Sequence, residues 1–283
     1  MSSLDSTIPV AGVIRAPPMV CALIRPEEIK VPCPETEKLS WFIKRTAIAR
    51  NPSLLASGGF GKVYCAKWRH IDVIMKEIPV SSDQDMERFS LEVELWRRLT
   101  HPNVVPFYGA NHLEKPCFIV SKFAKKGTLS KFLQGENTKN KVWGKIFEAA
   151  EGLNYLHEQG VVHGGLKGSN IVVDSDGTAM LTDFGLSFLA SGPTIVEQNP
   201  CTLGAMQWRA PEYAAKIATS PSFESDVYSL GMTIIEVIIG EDKFWSACLT
   251  DDAVRDQLQR AIADNSPVEK KNRSDETWLL EAR

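Results

Sequence analysis

Two runs rich in β-forming residues, Val63 to Trp68 and Ile71 to Ile78, are separated only by Arg69-His70. Runs of that kind around a two-residue break predict a β-hairpin. Ser81-Ser82-Asp83 then offers side-chain oxygens for a helix N-cap. Met86, Phe89, Val93 and Trp96 recur at spacings of three and four, so a helix turns one face inward. It ends before His101-Pro102-Asn103, because the residue ahead of a proline is pushed out of the helical region. Cys117 to Ser121 is a short apolar run and reads as a buried strand. Val142, Ile146, Ala149, Leu153 and Leu156 follow spacings of 4, 3, 4 and 3 and predict a second helix. Gly160 stops it as a left-handed C-terminal cap. An apolar helix opens at Ser225-Asp226-Val227 and runs through Ile239. Beyond it, Asp251 to Asp264 predicts one helix and Glu276 to Arg283 a shorter one.

Before Leu39 the pattern fails. Pro9, Pro17, Pro18, Pro26, Pro32 and Pro34 remove donors and block helix, so residues 1–38 read as an extended arm. The arm either packs on the domain or is a tail, the tail being the simpler reading. A length of 283 residues allows one large domain or two small lobes. The apolar fraction of 43% and charged fraction of 24% are ordinary for a globular chain. A net charge of -3 gives no bulk reason to bind nucleic acid or an anionic membrane. Six cysteines occur without a Cys-x-x-Cys pair, which favours reduced, buried thiols over a disulfide framework or a zinc site. No secretory pattern opens the chain, and no apolar run approaches the ~20 residues of a membrane helix. These features point to a cytoplasmic protein, or a nuclear one by default of any other address, and to no nucleic-acid or membrane partner.

Several stretches carry chemistry. Ala56-Ser57-Gly58-Gly59-Phe60-Gly61-Lys62-Val63 is glycine-rich and runs into a strand, whereas a dinucleotide fold needs a helix there. Glycines without Cβ let backbone amides approach triphosphate oxygens. Val73-Ile74-Met75-Lys76 follows, with Glu92 on the next helix. Further on stand His163-Gly164-Gly165-Leu166-Lys167-Gly168-Ser169-Asn170 and Leu181-Thr182-Asp183-Phe184-Gly185. Gly204 to Glu212 ends in Trp208-Arg209-Ala210-Pro211-Glu212, and Ser225 to Gly231 opens the late helix. In this order and spacing, over about residues 55–245, the chain resembles a protein kinase domain. The wording leans towards tyrosine-kinase-like kinases of the fungal type.

The resemblance assigns roles. Gly58, Gly59, Gly61 and Val63 cover the nucleotide, and Lys76 takes its α- and β-phosphates while paired to Glu92. Glu94 is the fallback partner but points to another face. Ser121 stands at the gatekeeper, and Lys122 to Ala124 at the hinge, whose backbone groups take adenine. Lys167 neutralises the γ-phosphate; Asn170 and Asp183 hold Mg²⁺. His163 supports the loop, and Asp226 anchors it from below. Lys122, Lys125, Lys126 and Lys131 read as a solvated basic face.

Departures from the pattern bear on activity. Ala56 replaces the first loop glycine, and Ile74 replaces an alanine that lies against adenine. Gly164 replaces the arginine that receives an activation-loop phosphate. Gly165 leaves the catalytic-base position vacant, and Ala205 replaces the threonine that bonds the missing aspartate. No Arg-Pro follows to pair with Glu212.

The expected fold is α+β and bilobal. An arm (1–38) precedes a β-rich N-lobe and hinge (39–124) and a helical C-lobe (125–283) shortened at its end. The expected ligands are ATP and Mg²⁺, with a protein partner or substrate. The leading functional expectation is an ATP-binding domain with impaired phosphotransfer, a pseudokinase regulator or scaffold. The alternatives are an active Ser/Thr-type kinase and an inert fold that binds no nucleotide.

Overall fold

The computed structural model describes residues 39–58, 61–135, 138–190, 206–214 and 221–240. The arm, Gly59, Ala205 and both predicted tail helices lie outside the described residues. Strands β1 (Ile48–Gly58), β2 (Gly61–Trp68), β3 (Ile71–Ile78), β4 (Phe107–Asn111) and β5 (Cys117–Lys122) form one antiparallel sheet in the order β1-β2-β3-β5-β4. The β2–β3 turn is Arg69-His70, with φ of 47° and 68°. Two-residue hairpins demand that left-handed geometry, and here it falls on residues with a Cβ. Arg69 lies over the Trp68 ring at 4.6 Å.

Strand alternation gives the sheet two different faces. Ala66, Val73, Met75, Phe118 and Val120 pack with Ile43 into a cluster on one face. The cross-strand partners Val63 and Lys76, Cys65 and Ile74, and Ile74 and Ser121 lie on the other. Helix α1 (Asp83–Trp96) starts at a capping box between Ser82 and Asp85. It buries Phe89, Val93 and Trp96 at the predicted spacing. The Trp96 indole donates to the Val105 carbonyl at 2.7 Å, and its ring packs on Phe184 at 5.1 Å. Thus α1 joins the sheet to the loop that carries Asp183.

The second lobe contains α2 (Leu129–Leu133), α3 (Val142–Glu158), the short α4 (Pro211–Ala214) and α5 (Phe223–Ile239). Two small two-stranded sheets accompany them: β6 (Val161–Val162) with β9 (Phe188–Leu189), and the hairpin β7 (Ile171–Val173) with β8 (Ala179–Leu181). Helix α3 buries Ile146, Ala149, Leu153 and Leu156, as its spacing requires. Helix α5 begins two residues before Ser225, because Ser222 is the cap and Ser225 is its capping-box partner. The result is an α+β fold in two lobes, with a β-rich first lobe and helices dominating the second.

Candidate active site

Three elements meet at Lys76. Its ammonium, on β3, lies 2.9 Å from Glu92 Oε1 on α1 and 2.8 Å from Asp183 Oδ1. Burial alone lowers the basicity of Lys76, but the two carboxylates reverse this and raise it well above the ordinary lysine value. Burial pushes the Glu92 carboxyl up, against the pull of Lys76. Burial also opposes the charge on Asp183, yet the adjacent Lys76 holds that carboxyl below the usual carboxylate range. Its side chain remains 33% exposed, so it faces the open cleft. Glu94 turns elsewhere and pairs with Arg97 and Arg98.

The loop from His163 to Asn170 is fixed by two buried carboxylates on α5. Asp226 accepts the backbone N–H of His163 at 2.7 Å and of Gly164 at 2.9 Å, with His157 Nε2 at 3.0 Å. Glu236 accepts from the Gly168 amide, the Ser130 hydroxyl and the Trp208 indole, each at 2.9 Å. A Cβ on Gly168 would fall 2.4 Å from Ser130 Oγ and 2.6 Å from Glu236 Oε1, so only glycine allows this approach. Sequence reasoning missed Glu236, Ser130 and Trp208 as parts of the loop support. The one signal in the sequence is a charged residue inside the apolar run Ile234–Ile239.

His163 is fully buried and bridges two segments. Its Nδ1 accepts the Gly165 amide at 3.2 Å, which leaves Nε2 to donate to the Thr182 carbonyl at 3.1 Å. With both ring nitrogens occupied, His163 has a supporting place. Asn170 Nδ2 donates to the Gly165 carbonyl at 2.7 Å, so its amide oxygen is the atom left for a metal.

Around the vacant base position the packing is specific. Gly164 has φ of 72°, and a Cβ there would sit 2.9 Å from the Leu186 carbonyl. A Cβ on Gly165 would meet Leu186 Cδ1 at 3.1 Å and Asn170 Nδ2 at 3.9 Å. Leu186 therefore caps the position that a base would use. Ser187 is buried and donates to the His163 carbonyl at 2.9 Å.

In the glycine-rich stretch, Gly58 pairs with Gly61 across the β1–β2 turn, and Val63 pairs with Lys76. Gly61 has φ of 120°, and a Cβ would fall 2.1 Å from the Glu77 carbonyl. Ser121 is buried opposite Ile74, and Ala124 is buried just beyond β5. Lys122 corrects the reading of a solvated basic face. Its ammonium bonds Asp174 Oδ2 at 2.6 Å, a contact that raises its basicity. Lys125, Lys126 and Lys131 are exposed. Backbone bonds from Lys126 to Val173 and from Val173 to Gly127 tie the segment after β5 to β7.

Among the described residues no cluster of three or more His, Cys, Asp or Glu forms a ready metal cage. Asp183 and Asn170 offer one carboxylate and one amide oxygen. That sparse oxygen set fits a divalent ion that keeps waters and takes phosphate oxygens.

Known proteins share this arrangement. The sequence profile described as protein tyrosine and serine/threonine kinase matches residues 50–276. A serine/threonine-protein kinase/receptor, so named, of Acanthamoeba polyphaga mimivirus is 31% identical over 221 residues, 75% of this chain and 14% of its own length. The L-type lectin-domain containing receptor kinase S.1 of Arabidopsis thaliana is 33% identical over 206 residues, 69% of this chain and 30% of its own length. Cell division control protein 7 of Schizosaccharomyces pombe is 30% identical over 221 residues, 75% of this chain and 20% of its own length. The chain thus spans less than a third of each of these curated relatives. A kinase domain implies ATP, a divalent metal and protein substrates in general. With the profile covering most of its length and the lysine, glutamate and aspartate assembled in one cleft, the chain belongs to the protein kinase family.

Proposed function

We propose that this domain binds Mg-ATP but transfers phosphate poorly, and that it acts as a regulator or scaffold in signalling. One observation carries the reading. The phosphate-side groups Lys76, Glu92 and Asp183 are in contact, while the base position is Gly165 with Leu186 packed over it. Phosphoryl transfer depends on positioning and charge neutralisation, and these groups supply both for a nucleotide. Lys76 holds the α- and β-phosphates, Lys167 faces the γ-phosphate, and Asn170 and Asp183 hold Mg²⁺. Backbone groups of Lys122 to Ala124 take adenine beside Ser121, under Gly58, Gly59, Gly61 and Val63. Gly165 accepts no hydroxyl proton, which removes ~10²–10⁴ in rate. On this reading the lobes divide near Ala124, the subfamily is tyrosine-kinase-like of the fungal type, and the location is cytoplasmic without nucleic-acid or membrane partners. Among the described residues no helix is long and apolar enough to cross a membrane.

A second reading, an active Ser/Thr-type kinase, is favoured by the intact Lys76–Glu92 pair and the kinase names of the relatives. Radiolabelled turnover on a generic protein substrate and on the chain itself separates the two. Transfer at ordinary rates, about 1–100 per second, would overturn the impaired reading.

A further inference from the structure

Opposite its buried face, α3 presents an exposed stripe of Gly144, Phe147, Glu151 and Glu158, flanked by Lys141 and Trp143. Helical spacing places these residues on one side. Trp143 and Phe147 are 64% and 65% exposed, more than any other large apolar side chain among the described residues. The charges along the stripe do not serve the helix by itself. Anions are favoured at a helix N-terminus and cations at its C-terminus, yet Lys141 stands at the start of α3 and Glu158 at its end. Gly144 likewise has no packing reason within the chain. A helix prefers alanine to glycine, and a Cβ at this position would meet nothing within 4 Å among the described residues.

We propose that the stripe docks a second copy of this chain, the two α3 helices lying antiparallel across a two-fold axis. Charge order selects this occupant. The stripe runs from a cation through aromatic rings to carboxylates, so its partner must run from carboxylates through apolar surface to a cation. The same stripe reversed supplies that order, as a two-fold contact requires. With the axis level with Lys145, Lys141 faces Glu151 of the partner subunit. Trp143 then packs on Phe147 of the partner subunit, and Gly144 leaves the hollow that receives that ring. Each contact occurs twice. An interface one helix wide is small for a stable dimer, so the association is weak and reversible. The stripe contains none of Lys76, Glu92 and Asp183, so its test is independent of nucleotide binding.

Sedimentation velocity of the full chain from about 1 to 200 µM tests this, because association depends on protein concentration. Wild type should pass from monomer towards dimer across that range. Phe147→Ser, and separately Gly144→Leu, should keep the chain monomeric throughout. Lys141→Glu and Glu151→Lys should each weaken the dimer about tenfold, since the two-fold axis doubles the effect of every reversed charge. An equimolar mixture of these two charge variants should recover wild-type association, because each chain then meets the opposite sign at both ends. All four positions are exposed, so the variants retain the monomer's fold. Wild type that stays monomeric overturns the proposal. So does a dimer that survives both Phe147→Ser and Gly144→Leu, or a mixture of the charge variants that remains dissociated.

Discussion

At the scale of single residues, Gly165 and Leu186 form one unit. A carboxylate at position 165 has room only if Leu186 Cδ1 yields a few tenths of an ångström from 3.1 Å. Gly165→Asp should therefore restore a small phosphotransfer activity, and Gly165→Asp with Leu186→Ala a larger one. The pair should gain more than the product of the single effects, because neighbours in contact couple. A radiolabelled turnover series checks this, and silence of the double variant with Mg-ATP bound would place the defect elsewhere.

Lys76 carries a second residue-scale prediction. Removing one partner of a buried ion pair costs roughly 3–5 kcal/mol, so Lys76→Met should destabilise the fold by about that amount in urea titrations. Its pH profile should also steepen. Wild-type Asp183 has a depressed pKa, so its contribution is present above the unfolded value of about 3.9 and is lost only as pH falls through the lower folded value. Wild-type Lys76 has a raised pKa, so its contribution holds below about 10.4 and is lost only at higher pH. Between these limits Asp183 and Lys76 leave wild-type stability unchanged, and only the raised Glu92 carboxyl adds a loss as pH rises. In Lys76→Met, Glu92 keeps its burial and loses its cation, so its raised pKa rises further. A carboxyl with a raised folded pKa loses stability as pH increases above its unfolded value of about 4.3, so the variant should weaken more than wild type as pH rises from there.

At the scale of elements, α1 and α5 position the site from opposite sides. The Ser82 side chain accepts the Asp85 amide and starts α1, the helix that carries Glu92. Ser82→Ala should cost about 1 kcal/mol and leave the Lys76–Glu92 contact formed in the folded state. On α5, Glu236 receives three donors from three different segments. Glu236→Ala strands the Gly168 amide and the Trp208 indole, and each buried unsatisfied group costs about 1–3 kcal/mol. Glu236→Gln retains one accepting oxygen and should recover part of that loss. Chemical denaturation of both variants tests this order, and equal stability of Ala and Gln variants would refute it.

The sequence made much of both elements legible. Phe89, Val93 and Trp96 face the core because their spacing fits one helical turn, and the capping serines stand beside the first apolar position. Glu236 was not legible, because its partners come from α2, the loop after β6 and the turn before α4. Nothing in local periodicity brings Ser130, Gly168 and Trp208 together.

At the scale of the whole molecule, nucleotide should bridge the lobes. Mg-ATP binding only to the folded state raises stability by mass action, ~2.7 kcal/mol at a hundredfold excess over Kd. Thermal melts should show that rise, and Lys76→Met should abolish it. No shift at millimolar Mg-ATP would remove the nucleotide from the functional reading. The Lys122–Asp174 contact links the end of β5 to the β7–β8 hairpin. Lys122 is partly exposed but Asp174 is buried, so Asp174→Ala should cost roughly 1–3 kcal/mol while weakening nucleotide binding several-fold. An unchanged Kd by calorimetry would show that the Lys122–Asp174 contact does not order the hinge.

Local chemistry determined the elements and the inventory of charged groups. The alternation of β2 and β3 required two unlike faces, the 4-3-4 spacing required the buried face of α3, and Gly165 removed a carboxylate whatever the fold. Only the tertiary structure decided which groups touch. It chose Glu92 over Glu94 for Lys76, because α1 rotates one of them towards β3 and the other towards Arg97 and Arg98. It drew Lys122 from the basic cluster onto Asp174, and it set Leu186 against Gly165. Such contacts join segments far apart in the chain, and their geometry follows from how the lobes pack rather than from the order of residues in either one.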